Sequence, residues 1–500
     1  MRRCDIDKSS YVWVKMCGMC HPGGGGCEYD RKGNRYDEFS KDPQNKIIAM
    51  GDNYLDGDYY RSDWARSGVL EADCLICHLK GYNWKARALA IRGGFFYEAP
   101  MMGAGWFRDL EVSEPTGPSM PANAISFRVD YSQTKIADPT SIAAFITKEV
   151  PDQNCWNCHV TPDCMKRGRS WDSRTDVHKA NGLSCTFCHT TGENHETAKG
   201  DILLGSVRDD LDGSMKVCTD CHLKETNRRA PKPNHDFPDL HIEKMACETC
   251  HIPYKMKAAT CVIDNATTGN SIRYLTKEFL SKDPLNPGQA CETSTENCWY
   301  PAFVEYKGKI KPVNPMQVIW WGDWDRASHR VIPIVLWRIR DFTGANPNNG
   351  FRITNYNLLG GLNGSKEVNT PDEIETYLKV LSQAKDRFGC SLVYHTPVLV
   401  KGGMIYYLEH GQLHQAPMPI REGGFRCCEP FDLSHNVLSE EFALGSKGCE
   451  DCHIKPSPFF NRKILIDPFD SQGRPVYKES WELLGYSKER MQELTSAVYE

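Results

Sequence analysis

The sequence lacks an apolar run long enough to cross a membrane. The longest, residues 331–337, is far shorter than the roughly 18–20 residues of a transmembrane helix, so we expect no membrane span in the chain. Positive charge is not in excess either, since 60 Lys and Arg face 65 Asp and Glu for a net charge of −5. A nucleic-acid-binding surface is therefore not indicated. Only 40% of the residues are hydrophobic, against 40 Gly and 29 Pro, which predicts a loop-rich chain whose interior is partly filled by something else.

What the chain has in abundance is cysteine, with 23 residues of this type in 500. Fourteen of them fall in the pattern Cys-x-x-Cys-His, which is typical of covalent haem attachment. It occurs seven times, and we number the motifs in chain order: Cys17–His21, Cys74–His78, Cys155–His159, Cys185–His189, Cys218–His222, Cys247–His251 and Cys449–His453.

The chemistry of a c-type haem explains this spacing. Two thiols three positions apart reach the two vinyl groups of one porphyrin, and the next residue, His, ligates the iron from below. A zinc site would use paired Cys-x-x-Cys units without a His after each. The predicted attachment residues are Cys17, Cys20, Cys74, Cys77, Cys155, Cys158, Cys185, Cys188, Cys218, Cys221, Cys247, Cys250, Cys449 and Cys452. The predicted proximal ligands are His21, His78, His159, His189, His222, His251 and His453.

Nine further histidines decide whether each iron is saturated by a second ligand. Seven irons need seven distal ligands, so the chain has enough histidines for every iron to be bound by two of them. An iron with six ligands has no site for substrate. Five of the nine lie beside motifs and are expected as distal ligands, namely His178, His195, His235, His241 and His435. We expect the other two from His329, His395, His410 and His414, with His329 and His410 chosen, and methionine is a further possible ligand type.

Nine cysteines lie outside the motifs: Cys4, Cys27, Cys164, Cys261, Cys291, Cys298, Cys390, Cys427 and Cys428. In an oxidising compartment disulfides are the default expectation, and an odd number leaves at least one unpaired within the chain. The vicinal pair 427–428 has two interpretations, either two separate disulfide partners or a pair that binds metal or faces a haem.

Motif spacing divides the chain into four predicted regions. They are a two-haem region over residues 1–130, a four-haem cluster over 131–260, a haem-poor mixed α/β subdomain over 261–430, and a single-haem segment over 431–500. The four close motifs predict a continuous haem stack. We expect a mainly α and irregular multihaem cytochrome c fold, loop-rich around stacked haems.

Local patterns in the haem-poor region predict a few elements. Residues 331–337 are β-rich, and residues 391–400 and 404–409 flank Lys401-Gly402-Gly403 as a hairpin. Thr370-Pro371-Asp372-Glu373 is a capping box that opens a helix ending at Gly389. We expect this region either to cap the haem chain or to bind a partner.

Three stretches resemble the octahaem tetrathionate-reductase-like cytochromes, which are related to hydroxylamine oxidoreductase. They run from Asp176 to His189, from Ala230 to His251, and from Ser434 to Phe460. The resemblance implies that His178, His195, His235, His241 and His435 are distal ligands. The chain departs from that group because it has seven motifs, and none of them ends in lysine, the residue that holds the active-site iron of the reductase.

These observations predict a seven-haem c-type cytochrome that transfers electrons. Two alternatives stay open: an oxidoreductase acting on a small sulfur or nitrogen compound at one five-coordinate haem, and a subunit of an extracellular cytochrome filament. Expected partners are other redox proteins or a membrane redox complex, with homo-oligomers possible. Haem attachment needs export, so a periplasmic or extracellular location is expected. Residues 1–4 do not form a secretion signal, so we expect the signal to be removed or to lie upstream.

Overall fold

The computed structural model of the protein describes 18 stretches of the chain, and all seven motifs lie within them. These stretches are residues 11–23, 73–93, 95–96, 98–105, 107–112, 125–129, 143–159, 171–192, 195–200, 212–224, 230–235, 238–255, 259–267, 272–275, 299–334, 367–383, 394–418 and 429–496.

The described residues form thirteen α-helices, thirteen strands and two short 3-10 helices, Glu440–Phe442 and Cys449–Asp451. The helices are α1 (Tyr11–Cys17), α2 (Cys74–His78), α3 (Trp84–Gly93), α4 (Ala99–Gly103), α5 (Asp152–Trp156), α6 (Val177–Ala180), α7 (Cys185–Cys188), α8 (Cys218–His222), α9 (Asp239–Lys244), α10 (Cys247–His251), α11 (Pro371–Ser382), α12 (Ser480–Leu483) and α13 (Lys488–Ser496). The strands are β1 (Phe107–Val112), β2 (Ile125–Val129), β3 (Thr260–Asp264), β4 (Ile272–Leu275), β5 (Ala302–Tyr306), β6 (Lys309–Asp325), β7 (Arg330–Pro333), β8 (Pro397–Lys401), β9 (Met404–Glu409), β10 (Gln412–Pro417), β11 (Glu429–Asp432), β12 (Lys463–Asp467) and β13 (Val476–Glu479).

The prediction of a mainly α fold with a mixed α/β subdomain is confirmed in part, because the described residues hold as many strands as α-helices. Nine of the strands, between residues 260 and 432, form one mixed sheet. Its main path runs β10-β9-β8-β6-β3-β4, and β5, β7 and β11 also pair with β6. The pairing of β3 with β6 is parallel, whereas the other pairings in the sheet are antiparallel. The 17-residue strand β6 is long enough to hold these partners along both edges. The residues around the motifs remain loop-rich, as expected.

Helix α11 closes one face of this sheet and begins as its sequence predicts. Thr370 accepts a hydrogen bond from the Glu373 amide, and Glu373 accepts one from the Thr370 amide, which completes the capping box. Its apolar positions are buried, and Tyr377 stacks on Trp321 of β6 with ring centroids 5.3 Å apart. The helix ends at Ser382, before the predicted Gly389, which lies outside the described residues.

The predicted hairpin is confirmed. Strand β8 pairs with β9 in antiparallel register, and both glycines of the turn, Gly402 and Gly403, have positive φ, which costs glycine little. The first strand begins at Pro397 and not at residue 391. The β-rich run beginning at Val331 is a strand as far as Pro333, and its residues 335–337 lie outside the described part.

The C-terminal segment packs onto the sheet through buried polar bonds. The Gln317 side chain of β6 donates to the Leu465 carbonyl of β12, and Arg462 donates to the carbonyl of Pro301 just before β5. Motif 6 is joined to the same strand, because the Ala246 amide and the Thr249 hydroxyl both donate to the Ile310 carbonyl. The sheet thus holds the last two motifs in fixed positions.

None of the helices in the described ranges has the length and hydrophobicity needed to cross a bilayer.

Candidate haem sites

Each motif forms one helical turn, and this turn orients its three functional side chains. In motifs 1, 3, 4 and 7 the His amide donates to the carbonyl of the first Cys over 2.8–3.0 Å, and motifs 2, 5 and 6 lie within α2, α8 and α10. Residues three and four positions apart lie on one face of a helix. Both thiols and the imidazole of a motif can therefore contact one porphyrin, as attachment requires.

Five motif histidines are held by the same kind of hydrogen bond. The Nδ1 atom of each lies 2.7–3.1 Å from a backbone carbonyl oxygen, and the pairs are His78 with Thr147, His189 with Ala198, His222 with Pro231, His251 with Leu438, and His453 with Leu494. A carbonyl only accepts, so Nδ1 carries the proton and Nε2 keeps its lone pair. This is the tautomer and orientation that a metal-ligating histidine needs.

The same five histidines each face one of the predicted distal histidines. The ring-centroid distances are 6.5 Å for His78 and His195, 6.2 Å for His189 and His435, 6.1 Å for His222 and His178, 6.0 Å for His251 and His235, and 5.9 Å for His453 and His241. All five distal histidines expected from their position beside motifs are thus brought to a motif histidine.

These distances fit an iron held between two imidazoles. An imidazole nitrogen ligates a metal at about 2 Å and the ring centre lies about 1 Å behind it, so two imidazoles on one iron have centroids about 6 Å apart. A direct hydrogen bond between two imidazoles would bring the rings closer than this. Burial lowers the pKa of His251 and of His241, which favours the neutral form that a ligand requires.

Apolar side chains around these histidines complete the fit to a porphyrin. Val217 and Leu223 flank motif 5, Leu240 and Ile242 flank His241, and Ile454 follows His453, and each is 43–58% exposed. Exposed apolar residues in a group mark a binding surface. A flat apolar macrocycle bound between the paired histidines would cover these side chains.

Successive motifs lie next to one another in chain order. The thiols of Cys155 and Cys185 interact with each other, and this contact joins motifs 3 and 4. Cys218 and Cys247 join motifs 5 and 6 in the same way, and their hydrogen bond lowers the pKa of Cys247 to about 7. Attachment would convert these thiols to thioethers, so what matters is the proximity of the motifs.

The remaining neighbours are close enough to influence each other's ionisation. Burial raises the pKa of Cys77 to about 11, with a contribution from Cys155 that links motif 2 to motif 3. Burial likewise raises the pKa of Cys188, with Cys221 of motif 5 contributing. The pKa of Cys452 rises to about 12 through burial and then through Cys250, which places motif 7 beside motif 6.

Motif 1 is joined to motif 2 by a buried ion pair. The Arg87 guanidinium lies 2.9 Å from the Asp73 carboxylate and donates to the carbonyls of Gly18 and Met19, the two residues between the cysteines of motif 1. Asp73 directly precedes Cys74, and its amide donates to the carbonyl of Pro22, just after motif 1. Each motif therefore lies near the next one along the chain.

Two motif histidines have different surroundings from the other five. The indole of Trp13 lies beside His21, with the two ring centroids 5.5 Å apart and the ring planes tilted by 52°. His159 is exposed and follows helix α5, whose Trp156 ring has the Lys179 ammonium 6.0 Å from its centroid. For these two haems the sequence-based choice of His329 and His410 stays a prediction.

The structure places those two histidines in turns of the sheet. His329 lies between β6 and β7 and His410 between β9 and β10, both with positive φ, a conformation that histidine adopts more readily than most residues. His395 lies 3.2 Å from Asp323, and His414 stacks on Tyr407. In the described part of the chain, none of these four contacts a motif histidine.

The disulfide prediction falls almost wholly outside the described residues, since eight of the nine non-motif cysteines lie there, including Cys427 and Cys428. The ninth, Cys261, is buried in β3. No disulfide joins the cysteines in the stretches that the structure describes.

One polar residue beside His178 was not predicted from the sequence. Asp176 is 2% exposed, caps α6, and lies 3.3 Å from Nδ1 of His178. Burial raises the pKa of its carboxyl, but hydrogen bonds from His178 and from the Val437 amide outweigh this, and the net shift is downward. The sequence pattern that could have predicted this contact is an Asp two residues before a distal His, at the start of a helix.

Comparison with known proteins yields little. No protein-family model matches the chain, and no curated protein matches it. Among solved structures, the crystal structure of octaheme cytochrome c from Shewanella oneidensis is 17% identical, with 81% of this chain and 78% of that chain covered and a TM-score of 0.34. A similarity this weak leaves the argument to the sites themselves.

Proposed function

We propose that the protein is a multihaem c-type cytochrome that holds seven covalent haems and transfers electrons along them. The five histidine pairs carry this proposal, because two imidazoles about 6 Å apart, with the motif Nδ1 proton given to a carbonyl, suit a six-coordinate iron. An iron with both axial sites filled by histidine exchanges electrons and leaves substrate no place to bind.

The order of the motifs supports an electron path from haem 1 to haem 7, where each haem takes the number of its motif. Neighbouring attachment sites lie close together, so electrons would pass between adjacent porphyrins without a carrier. Redox proteins or a membrane redox complex would exchange electrons at the ends. Because covalent haem attachment takes place after export, we place the working protein in the periplasm or outside the cell.

The two alternatives are decided by haems 1 and 3. If either iron is five-coordinate, the protein could act on a small sulfur or nitrogen compound there. A neighbouring copy that donated a ligand would instead favour a filament subunit. The electron-transfer proposal commits to low-spin, six-coordinate irons within a single chain.

Haem content is tested first, by intact mass. The wild-type protein is expected to carry seven haems, and the variant C218S/C221S six, because motif 5 loses both thioethers. C261S is the matched control, since Cys261 is a buried cysteine outside every motif, and it should keep seven. Fewer than seven haems in the wild type would contradict the proposal.

Ligation and function are tested on the same preparation. Electron paramagnetic resonance of the oxidised monomer is expected to show only low-spin haem. Voltammetry is expected to show reversible waves that do not change when nitrite or tetrathionate is added. A stoichiometric high-spin haem with a catalytic current would establish the enzyme instead. Low-spin haems that become high-spin on dilution of an oligomer would establish the filament.

A further inference from the structure

The buried carboxylate of Asp176 contacts two chain segments, and their residues serve three different haems. Its Oδ1 accepts from the His178 amide at 2.8 Å and lies 3.3 Å from Nδ1 of that imidazole, the distal ring of haem 5. Its Oδ2 accepts from the Val437 amide at 3.0 Å. Val437 lies between His435, which faces motif 4, and Leu438, whose carbonyl accepts from His251 of motif 6.

The partner of His178 differs from those of the five motif histidines. They give their Nδ1 proton to neutral backbone carbonyls, whereas His178 faces the carboxylate of Asp176, a negatively charged group. A carboxylate on the outer nitrogen makes an imidazole a stronger electron donor to its metal. Stronger donation and a nearby negative charge both stabilise ferric over ferrous iron.

The neighbouring haem has a buried charge of the opposite sign. Lys255 is 1% exposed, and its ammonium donates to the carbonyl of His435, the distal residue of haem 4, at 3.1 Å. Lys216 lies near both motif 4 and motif 5, and Asp152 beside motif 4 is paired with Lys179, so neither of these distinguishes the two haems. A cation close to an iron stabilises its ferrous state, so Lys255 beside haem 4 acts in the opposite direction to Asp176 beside haem 5.

We propose that Asp176 is a positioning residue that fixes the distal imidazole of haem 5 and gives this haem a lower midpoint potential than haem 4. The inference rests on the proposed function, since it requires haems at motifs 4 and 5. The midpoint potential therefore changes between these two haems. During reduction haem 4 is reduced before haem 5, and an electron moves spontaneously from haem 5 to haem 4.

The test replaces the charge and keeps the helix cap. In D176N and D176S the new side chain can still accept from the α6 amides, because Asn and Ser cap helices about as well as Asp. D172N is the matched control, since Asp172 lies in the same turn but pairs with exposed Arg174. Redox titrations of the holoproteins would be followed by electron paramagnetic resonance. The signal that shifts in His178→Met is assigned to haem 5, and the signal that shifts in His435→Met is assigned to haem 4.

In both Asp176 variants the reduced-to-oxidised ratio of haem 5 at a fixed potential should rise on the order of tenfold, which is about 59 mV for one electron. D172N should leave it unchanged. An unmoved haem 5 in D176N and D176S, an equal shift in D172N, or wild-type haem 5 reducing before haem 4 would each overturn the inference. The proposed function fails separately, through a wild-type mass below seven haems or a high-spin iron.

Discussion

Replacement of Arg87 by leucine should loosen the junction between motifs 1 and 2. The Arg87 and Asp73 side chains are 0% and 1% exposed, and Tyr82 also donates to the carboxylate. The substitution leaves a buried negative charge without its cation and deprives two carbonyls of a donor. Breaking a buried pair in this way costs about 3–5 kcal/mol.

Hydrogen exchange measures this cost locally, which suits a multihaem chain whose unfolding need not be two-state. At about 1.4 kcal/mol per factor of ten, amide protection across residues 73–93 should fall roughly 100- to 4,000-fold. R92L is the matched control, since Arg92 lies in the same helix but is exposed, and it should change protection little. The double variant D73N/R87L should recover part of the loss, because no charge is left buried. Protection in R87L within a factor of three of that in R92L would refute the reasoning.

Two further predictions concern ligation and pH. His435→Met should raise the midpoint potential of one haem, because an iron bound by Met and His favours the ferrous state. H414M, on the exposed face of β10, should change no midpoint potential. Spectroelectrochemistry measures both variants, and equal effects would show that His435 is not a ligand. Asp264 is 1% exposed, and burial, aided by Glu367, raises the pKa of its carboxyl to about 7. The folded state then holds a proton that the unfolded chain releases near pH 3.9. This stabilisation is full below about pH 4 and is lost as the pH rises to about 7, by up to about 4 kcal/mol. D264N should abolish that pH dependence of the guanidinium midpoint, and an unchanged slope would contradict the assignment.

Local chemistry was predictable from the sequence because it is written in short patterns. Cys-x-x-Cys-His fixes three side chains within one helical turn, and proximity to a motif was enough to select the five histidines that the structure brings to motif histidines. The capping box at Thr370 and the paired glycines at 402 and 403 have equally local causes, and both elements form where they were expected.

Long-range arrangement was not predictable on the same basis. Motif 7 lies almost two hundred residues after motif 6, yet Cys452 lies beside Cys250, because β6 and the segments that follow it hold both. The carbonyl acceptors of the motif histidines are backbone atoms, which any residue supplies, so no side-chain pattern indicates them. The extent of the sheet was missed because β6 gains its five partners from segments spread over residues 260–432.

Iron positions in a crystal of the holoprotein test the central claim most directly. Anomalous scattering at the iron edge is expected to give seven peaks. Five should lie midway between His78 and His195, His189 and His435, His222 and His178, His251 and His235, and His453 and His241. Fewer than seven peaks, or an iron of these five bound by a different second ligand, would contradict the account.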